Sequence, residues 1–168
     1  DVKLVPLTSN GLSHSRNAAL DHVRSGFILF SDDDMVLDME GILLLKQALA
    51  QNSDLALARG WRAERFKRCR STLGKLHLLN ATRICAPELM IRVQAFRQAD
   101  IRFDSEFGVG ARYGIGEDYV FVADALKAGL KARAVPVVTG AHPCPSTGDI
   151  WDNANLFVAR RAVLQRVF

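Results

Sequence analysis

The 168-residue chain fits one domain of ordinary size, and its 49% hydrophobic and 24% charged residues supply a sizeable core and exclude a low-complexity sequence. A net charge of +4 suits anionic ligands such as nucleotide diphosphates, acidic glycans or an anionic membrane surface, and does not point to nucleic acid. No apolar run approaches the ~18 residues of a spanning helix, and Cys69, Cys85 and Cys144, without C-x-x-C spacing, indicate neither zinc nor a disulfide framework.

Val2 to Leu7 is expected as a short strand, and Thr8-Ser9-Asn10-Gly11 as a turn. Ser13 or Ser15 is expected to cap a helix running to about Arg24, ended by Gly26. Phe27-Ile28-Leu29-Phe30 is an unbroken apolar run, which predicts a strand covered on both faces, as in a parallel sheet. Asp38 caps a helix from Met39 to about Gln51, and Asp54 to Gly60 is another strand. From Arg59 to Lys75, seven Arg and Lys residues crowd together with Trp61 and Phe66 interleaved and Glu64 the one opposing charge. That tract is either a solvated basic face or an anion-binding surface.

Further on, Glu88 to Arg92 is expected as a strand and Val93 to Ala99 as a short helix. Ile101 to Asp104 leads into a loop with Gly108, Gly110, Gly114 and Gly116. Glu117-Asp118 opens a helix to about Ala128, closed by Gly129. Lys131 to Val138 is a last strand, for which Pro136 argues an edge or terminal position. His142 to Gly148 is a loop, and Asn155 to about Val167 a docking helix. The alternation of strands and helices predicts an α/β sandwich with a mostly parallel central sheet, in one domain over residues 1–168.

Two places carry candidate chemistry. The first is Ser31-Asp32-Asp33-Asp34, at the carboxyl end of a strand where open α/β sheets gather ligands. In an extended segment Asp32 and Asp34 point one way and Asp33 the other. Carboxylates this close repel unless a cation sits between them. A hard ion such as Mg²⁺ or Mn²⁺ suits oxygen ligands and usually also takes substrate phosphate. The plainer reading is a solvated acidic turn. The second is Asp118, in the first turn of a helix whose dipole favours its ionised form. So placed, it is able to take a proton from an incoming hydroxyl. Capping is the plainer role of the Glu117-Asp118 pair.

The run GLSHSRNAALDHVRSGFILFSDDDMVL resembles the central segment of inverting family 2 glycosyltransferases with the GT-A fold. There an Arg-Asn pair opens a helix, and a hydrophobic strand follows that ends in D-x-D. The later run IRFDSEFGVGARYGIGEDYVFVADALKAGLKARAVPVVTGAHP resembles the family's second block, with its Phe-Asp, its Glu-Asp opening a helix, and a following strand. Together they cover roughly residues 1 to 145.

The resemblance implies a GT-A-like (Rossmann-like) three-layer sandwich and sugar transfer from a nucleotide-sugar to a glycan or lipid-linked acceptor hydroxyl. Asp32 and Asp33 would bind the nucleotide-sugar. Asp34, with Asp32 and His142, would hold Mn²⁺ or Mg²⁺. Asp118 would be the general base, Glu117 would hold the acceptor, and Arg16 and Asn17 would form the nucleotide-side wall. The family's opening strand-turn-helix-strand unit, which holds the nucleobase, has no counterpart in this sequence. An N-terminal truncation, a partner chain or oligomer covering an open sheet edge, or loss of donor binding is therefore expected. The cysteine usage and the absence of a signal peptide imply a cytoplasmic protein, with the inner membrane face as a contact. Two alternatives remain open. One is a haloacid dehalogenase-like phosphatase, with Asp32 as nucleophile and Val36 at a matching spacing. The other is a non-catalytic glycan-binding or scaffold domain.

Overall fold

A computed structural model describes residues 3–66, 74–142, 147–150 and 153–168. In chain order the elements are α1 (Leu12–His22), β1 (Phe27–Leu29), β2 (Val36–Leu37), α2 (Met39–Gln51), β3 (Leu55–Arg62), α3 (Ala63–Phe66), β4 (Gly74–Lys75), β5 (Leu89–Arg92), α4 (Val93–Gln98), α5 (Glu117–Lys127), β6 (Lys131–Ala141) and α6 (Ala154–Val167). Short 3₁₀ turns cover Ala86–Glu88 and Thr147–Asp149.

The strands form one sheet in the order β1-β5-β3-β6-β2, with β4 also paired to β6. The three-layer α/β sandwich is as expected, but the sheet is mixed. Among the described residues only β3 and β6 run parallel, while β1 with β5, β5 with β3, and β6 with β2 and β4 are antiparallel. Strand-helix alternation alone predicts parallel neighbours. Here the short helices and loops return the chain to non-adjacent positions, so the directions mix.

β3 is the centre, buried at all eight residues. Its side chains divide between two cores, and a register shift between Leu55 and Leu57 breaks simple alternation. Leu55 and Ala58 meet Leu45 and Leu49 of α2 and Met90 of β5. Leu57 and Trp61 join the larger core built on α5. α5 is buried at eight of its eleven residues, which is why its sequence lacks a polar face. Phe121 of α5 stacks on Phe103 with centroids 4.0 Å apart, and Phe30 meets both rings edge-on. That aromatic group fixes the residue just ahead of the acidic run against the helix that begins with Glu117 and Asp118.

Several local expectations need correction. Lys3 to Leu7 forms no strand, and Leu4 is 88% exposed. Among the described residues no strand pairs with the outer edge of β1, so this segment lacks a ladder to join. β1 is correspondingly half-buried rather than covered on both faces. Gly11, not Ser13 or Ser15, stands at the N-cap of α1. Both serines lie inside the helix and donate to carbonyls, Ser13 to Phe107 at 2.7 Å and Ser15 to Gly11 at 3.1 Å. β6 is not an edge strand. Pro136 is tolerated there because the β3 register shifts between Arg59 and Trp61, and because β4 and β2 pair only with residues on either side of it. Asp38 does cap α2, accepting from the Gly41 amide at 3.0 Å.

Gly116, at the N-cap of α5, has φ 101°, and a Cβ there would lie 2.2 Å from Val163 Cγ2 of α6. A side chain would meet both a left-handed backbone, costing ~1–2 kcal/mol, and an overpacked contact, costing ~1–3 kcal/mol. Gly116→Ala is expected to lower stability by about 2–5 kcal/mol. Denaturant unfolding checks this, and an unchanged midpoint would show that α6 yields at no cost.

Candidate functional site

The buried stripe of α1 is Ser13, Arg16 and Leu20, spaced one helical turn apart. This turns Arg16 inward under the sheet's carboxyl-end loops, where it is 7% exposed. Its Nη1 donates to Asp118 Oδ1 at 2.6 Å and to Glu117 Oε1 at 3.2 Å, and its Nη2 to Asp32 Oδ1 at 3.2 Å. One guanidinium thus joins the acidic run after β1 to the carboxylate pair that opens α5. Arg16 is 16 residues from Asp32 and 101 and 102 from Glu117 and Asp118 in sequence, and the structure brings all four together.

The other oxygen of Asp118, Oδ2, accepts from the Ala86 amide at 2.8 Å. Burial pushes the Asp118 carboxyl up to about 7. Arg16 and the Ala86 amide pull it down, and Glu117 and Asp32 add to the rise. Burial also acts against the charge of Arg16, but the three surrounding carboxylates outweigh it and hold its pKa above the ordinary value. The site therefore contains a carboxyl group poised to titrate near neutrality beside a permanent cation.

The acidic run differs from the sequence reading in shape. β1 ends at Leu29, and the Met35 amide bonds back to the Asp32 carbonyl at 3.4 Å, so Asp32, Asp33 and Asp34 occupy a turn rather than an extended strand. Simple alternation does not govern them. Asp32 faces Arg16, Asp33 is exposed, and Asp34 Oδ2 lies 3.1 Å from His142 Nε2. His142 follows β6, and its amide donates to Glu64 of α3 at 2.9 Å. Among the described residues no three Asp, Glu, His or Cys side chains converge as a closed metal cage. Asn17 clamps the Phe103 backbone from both sides, accepting from its amide and donating to its carbonyl at 2.8 Å each.

Among the described residues the basic tract does not form one surface. Lys67, Arg68 and Arg70, like Cys69, Cys144 and the segment 143–146, lie outside the described residues. Arg59 and Arg62 belong to β3 and are buried. Arg59 donates to Glu88 Oε2 through Nε at 3.1 Å and Nη2 at 2.9 Å, and its guanidinium lies 3.9 Å from the Trp61 ring centre. Glu88 has no exposed surface and also accepts from the Arg62 amide at 3.2 Å. Sequence reading missed Glu88 as a partner. The signal was present: a carboxylate immediately before Leu89-Met90-Ile91 is headed into the core and requires a cation there. Cys85 carries a free thiol whose pKa burial pushes well up.

A comparison with curated protein sequences found no match. Among solved structures, S. aureus TarS 1–349 in complex with UDP-GlcNAc matches with a TM-score of 0.69 at 16% identity, over 98% of this chain and 49% of that one. TarS 1–349 by itself gives 0.65 at 17% identity, over 95% and 46%. Glucosyl-3-phosphoglycerate synthase from Mycobacterium tuberculosis, in complex with phosphoglyceric acid, gives 0.59 at 14% identity, over 97% and 57%. The chain thus spans about half the length of the solved structures it matches, and at these identities the likeness is one of fold. By sequence, the model of the family described as glycosyl transferase family 2 matches residues 1–97, which takes in α1, the acidic run and the Asp32 end of the Arg16 cluster. With more than half of its length matched, the chain belongs to glycosyl transferase family 2.

Proposed function

We propose that the protein transfers a sugar from a nucleotide-sugar to an acceptor hydroxyl by a single displacement with inversion, assisted by Mn²⁺ or Mg²⁺. The observation that carries this reading is the Arg16 cluster, in which one guanidinium joins an acidic turn to a base-like carboxylate. Asp118 is the general base, Glu117 positions the acceptor, and Arg16 keeps both carboxylates in place. The acceptor oxygen attacks the anomeric carbon, its proton passes to Asp118, and the nucleoside diphosphate leaves from the opposite face.

Asp34 and His142 are the pair suited to the metal, with Asp32 and Asp33 toward the nucleotide. Their 3.1 Å separation fits neighbouring ligands of an octahedral ion, since bonds of ~2.1 Å place such atoms about 3 Å apart. Asp34 and His142 would hold such an ion, and it would supply positive charge to offset the departing diphosphate. The TarS complexes with UDP-GlcNAc and UDP make uridine nucleotides the first donors to try. The family match does not favour the phosphatase or scaffold alternatives.

The test is release of nucleoside diphosphate from a panel of nucleotide-sugars with Mn²⁺ and candidate glycan and lipid-linked acceptors, with the anomeric configuration of the product read by NMR. Hydrolysis of phosphate esters that depends on Asp32, with no sugar transferred, would sink the proposal. A pH profile adds a second check. A base must be ionised to act, and Asp118 ionises near 7. Below that point kcat/KM is expected to fall about tenfold per pH unit, and above it to level off. A flat profile between pH 5 and 8 would remove Asp118 from the role.

A further inference from the structure

We propose that Arg62 and Arg65 form an oxyanion subsite, filled in this structure by the chain's own Asp149, and that its ligand is a phosphate or carboxylate group carried by the acceptor. The acceptor part of this inference rests on the transferase reading above.

The argument begins with an imbalance of buried charge. Arg62 is 5% exposed, and its Nε is buried without a hydrogen-bond partner. Its nearest carboxylate contacts are long: Nε to Glu88 Oε1 at 3.9 Å and Nη2 to Asp149 Oδ2 at 3.6 Å. Glu88 does not serve it closely: Arg59 holds Oε2 with two short bonds, and Oε1 accepts from the Arg62 backbone amide at 3.2 Å. A guanidinium does not shed its proton to escape burial, so it requires an anion. Arg65 stands on the following turn and donates to Asp149 Oδ1 at 2.8 Å. The Asp149 carboxylate therefore lies between two arginines, closely bonded to one and loosely to the other. Two guanidinium forks around one oxyanion is the arrangement that phosphate and carboxylate ligands use.

The pair also faces the chemistry. Arg65 Nη1 donates to the Arg83 carbonyl at 2.8 Å, and three residues further on the Ala86 amide holds Asp118. Three residues of chain span at most about 11 Å. The Cys85 thiol between them lies within electrostatic reach of Arg62, Arg65 and Asp118 alike. An acceptor with its hydroxyl at Asp118 and its anionic group on the arginines bridges that distance. A self-supplied carboxylate in the subsite lowers the apparent affinity for the ligand by the fraction of time it is seated.

Calorimetric titration with inorganic phosphate tests the subsite without any turnover. Asp149→Asn is expected to tighten phosphate binding about tenfold by removing the competing charge, and Arg65→Ala to weaken it at least about tenfold. Arg65 is chosen because Arg62 is too buried to remove safely. Equal phosphate affinity in wild type and Asp149→Asn, or undiminished affinity in Arg65→Ala, overturns the proposal. Transfer assays with matched phosphorylated, carboxylated and neutral acceptors then separate the two sources of the anion. Transfer that is equally efficient to neutral acceptors overturns the acceptor role while leaving the transferase reading intact. Phosphate binding that responds as expected, with no sugar transferred to any acceptor, supports the subsite and counts against the transferase reading.

Discussion

Replacing Asp118 with asparagine is expected to lower kcat about 10²–10⁴-fold, the usual weight of a positioned general base. Asparagine keeps the size of the side chain and one carbonyl oxygen, so either the Ala86 amide or Arg16 retains an acceptor. What it loses is the capacity to take a proton. The loss should fall on kcat rather than on KM for the donor, because Asp118 is placed on the acceptor side of the reaction. Glu117→Gln provides the contrast. Glu117 shares Arg16 with Asp118 but receives one bond, at 3.2 Å, and its loss is expected mainly to raise the acceptor KM. If Glu117→Gln abolished turnover and Asp118→Asn did not, the two carboxylates would exchange roles. Circular dichroism and melting curves on both variants would separate lost chemistry from lost fold.

Glu88→Ala is expected to be the most damaging single change to stability. The fully buried carboxylate neutralises Arg59 and accepts from the backbone of Arg62. Removing one member of a buried ion pair costs about 3–5 kcal/mol, because the partner charge stays behind without compensation. For a chain of this size each kcal/mol shifts Tm by about 2–4 °C, so a fall of roughly 6–20 °C is expected. Glu88→Gln should fall between, keeping the shape and one acceptor. Glu88 also ends the 3₁₀ turn that begins at Ala86, whose amide holds Asp118. Activity is therefore expected to fail at temperatures below the global Tm of the Glu88→Ala protein. Parallel thermal curves of activity and ellipticity would check this, and coincident curves would show that the turn and the core melt together.

The parts of the molecule legible in the sequence were those with local causes. Asp38 announced α2 because a capping carboxylate needs only its own helix, and the Glu117-Asp118 pair announced α5 because acidic residues favour a first helical turn. The pairing of acidic turn and helix start within one site came from the ordered motifs, and Arg16 turned out to be what joins them. Features with distant causes were not legible. The strand expected over Val2 to Leu7 has the right side chains and no neighbour to pair with. The position of Pro136 in an interior strand depends on a register shift in β3 and a gap between β4 and β2, neither of which β6 itself encodes. The basic tract looked like surface because its principal buried partner, Glu88, lies well downstream in the sequence.

The order of the sheet carries a consequence for how the chain reaches its native state. Among the described residues no two neighbouring strands are joined by a tight hairpin: Phe27 pairs with Arg92, Leu57 with Ile91, Val36 with Ala141, and Leu55 with Lys131. Each ladder must close a large loop of chain before its first bond forms, a topology that slows folding. β6, which stitches β3, β2 and β4 together, is the last of these strands to leave the ribosome. Until it does, the central β3 waits with one flank bare, and newly made chains spend that interval most exposed to misassociation.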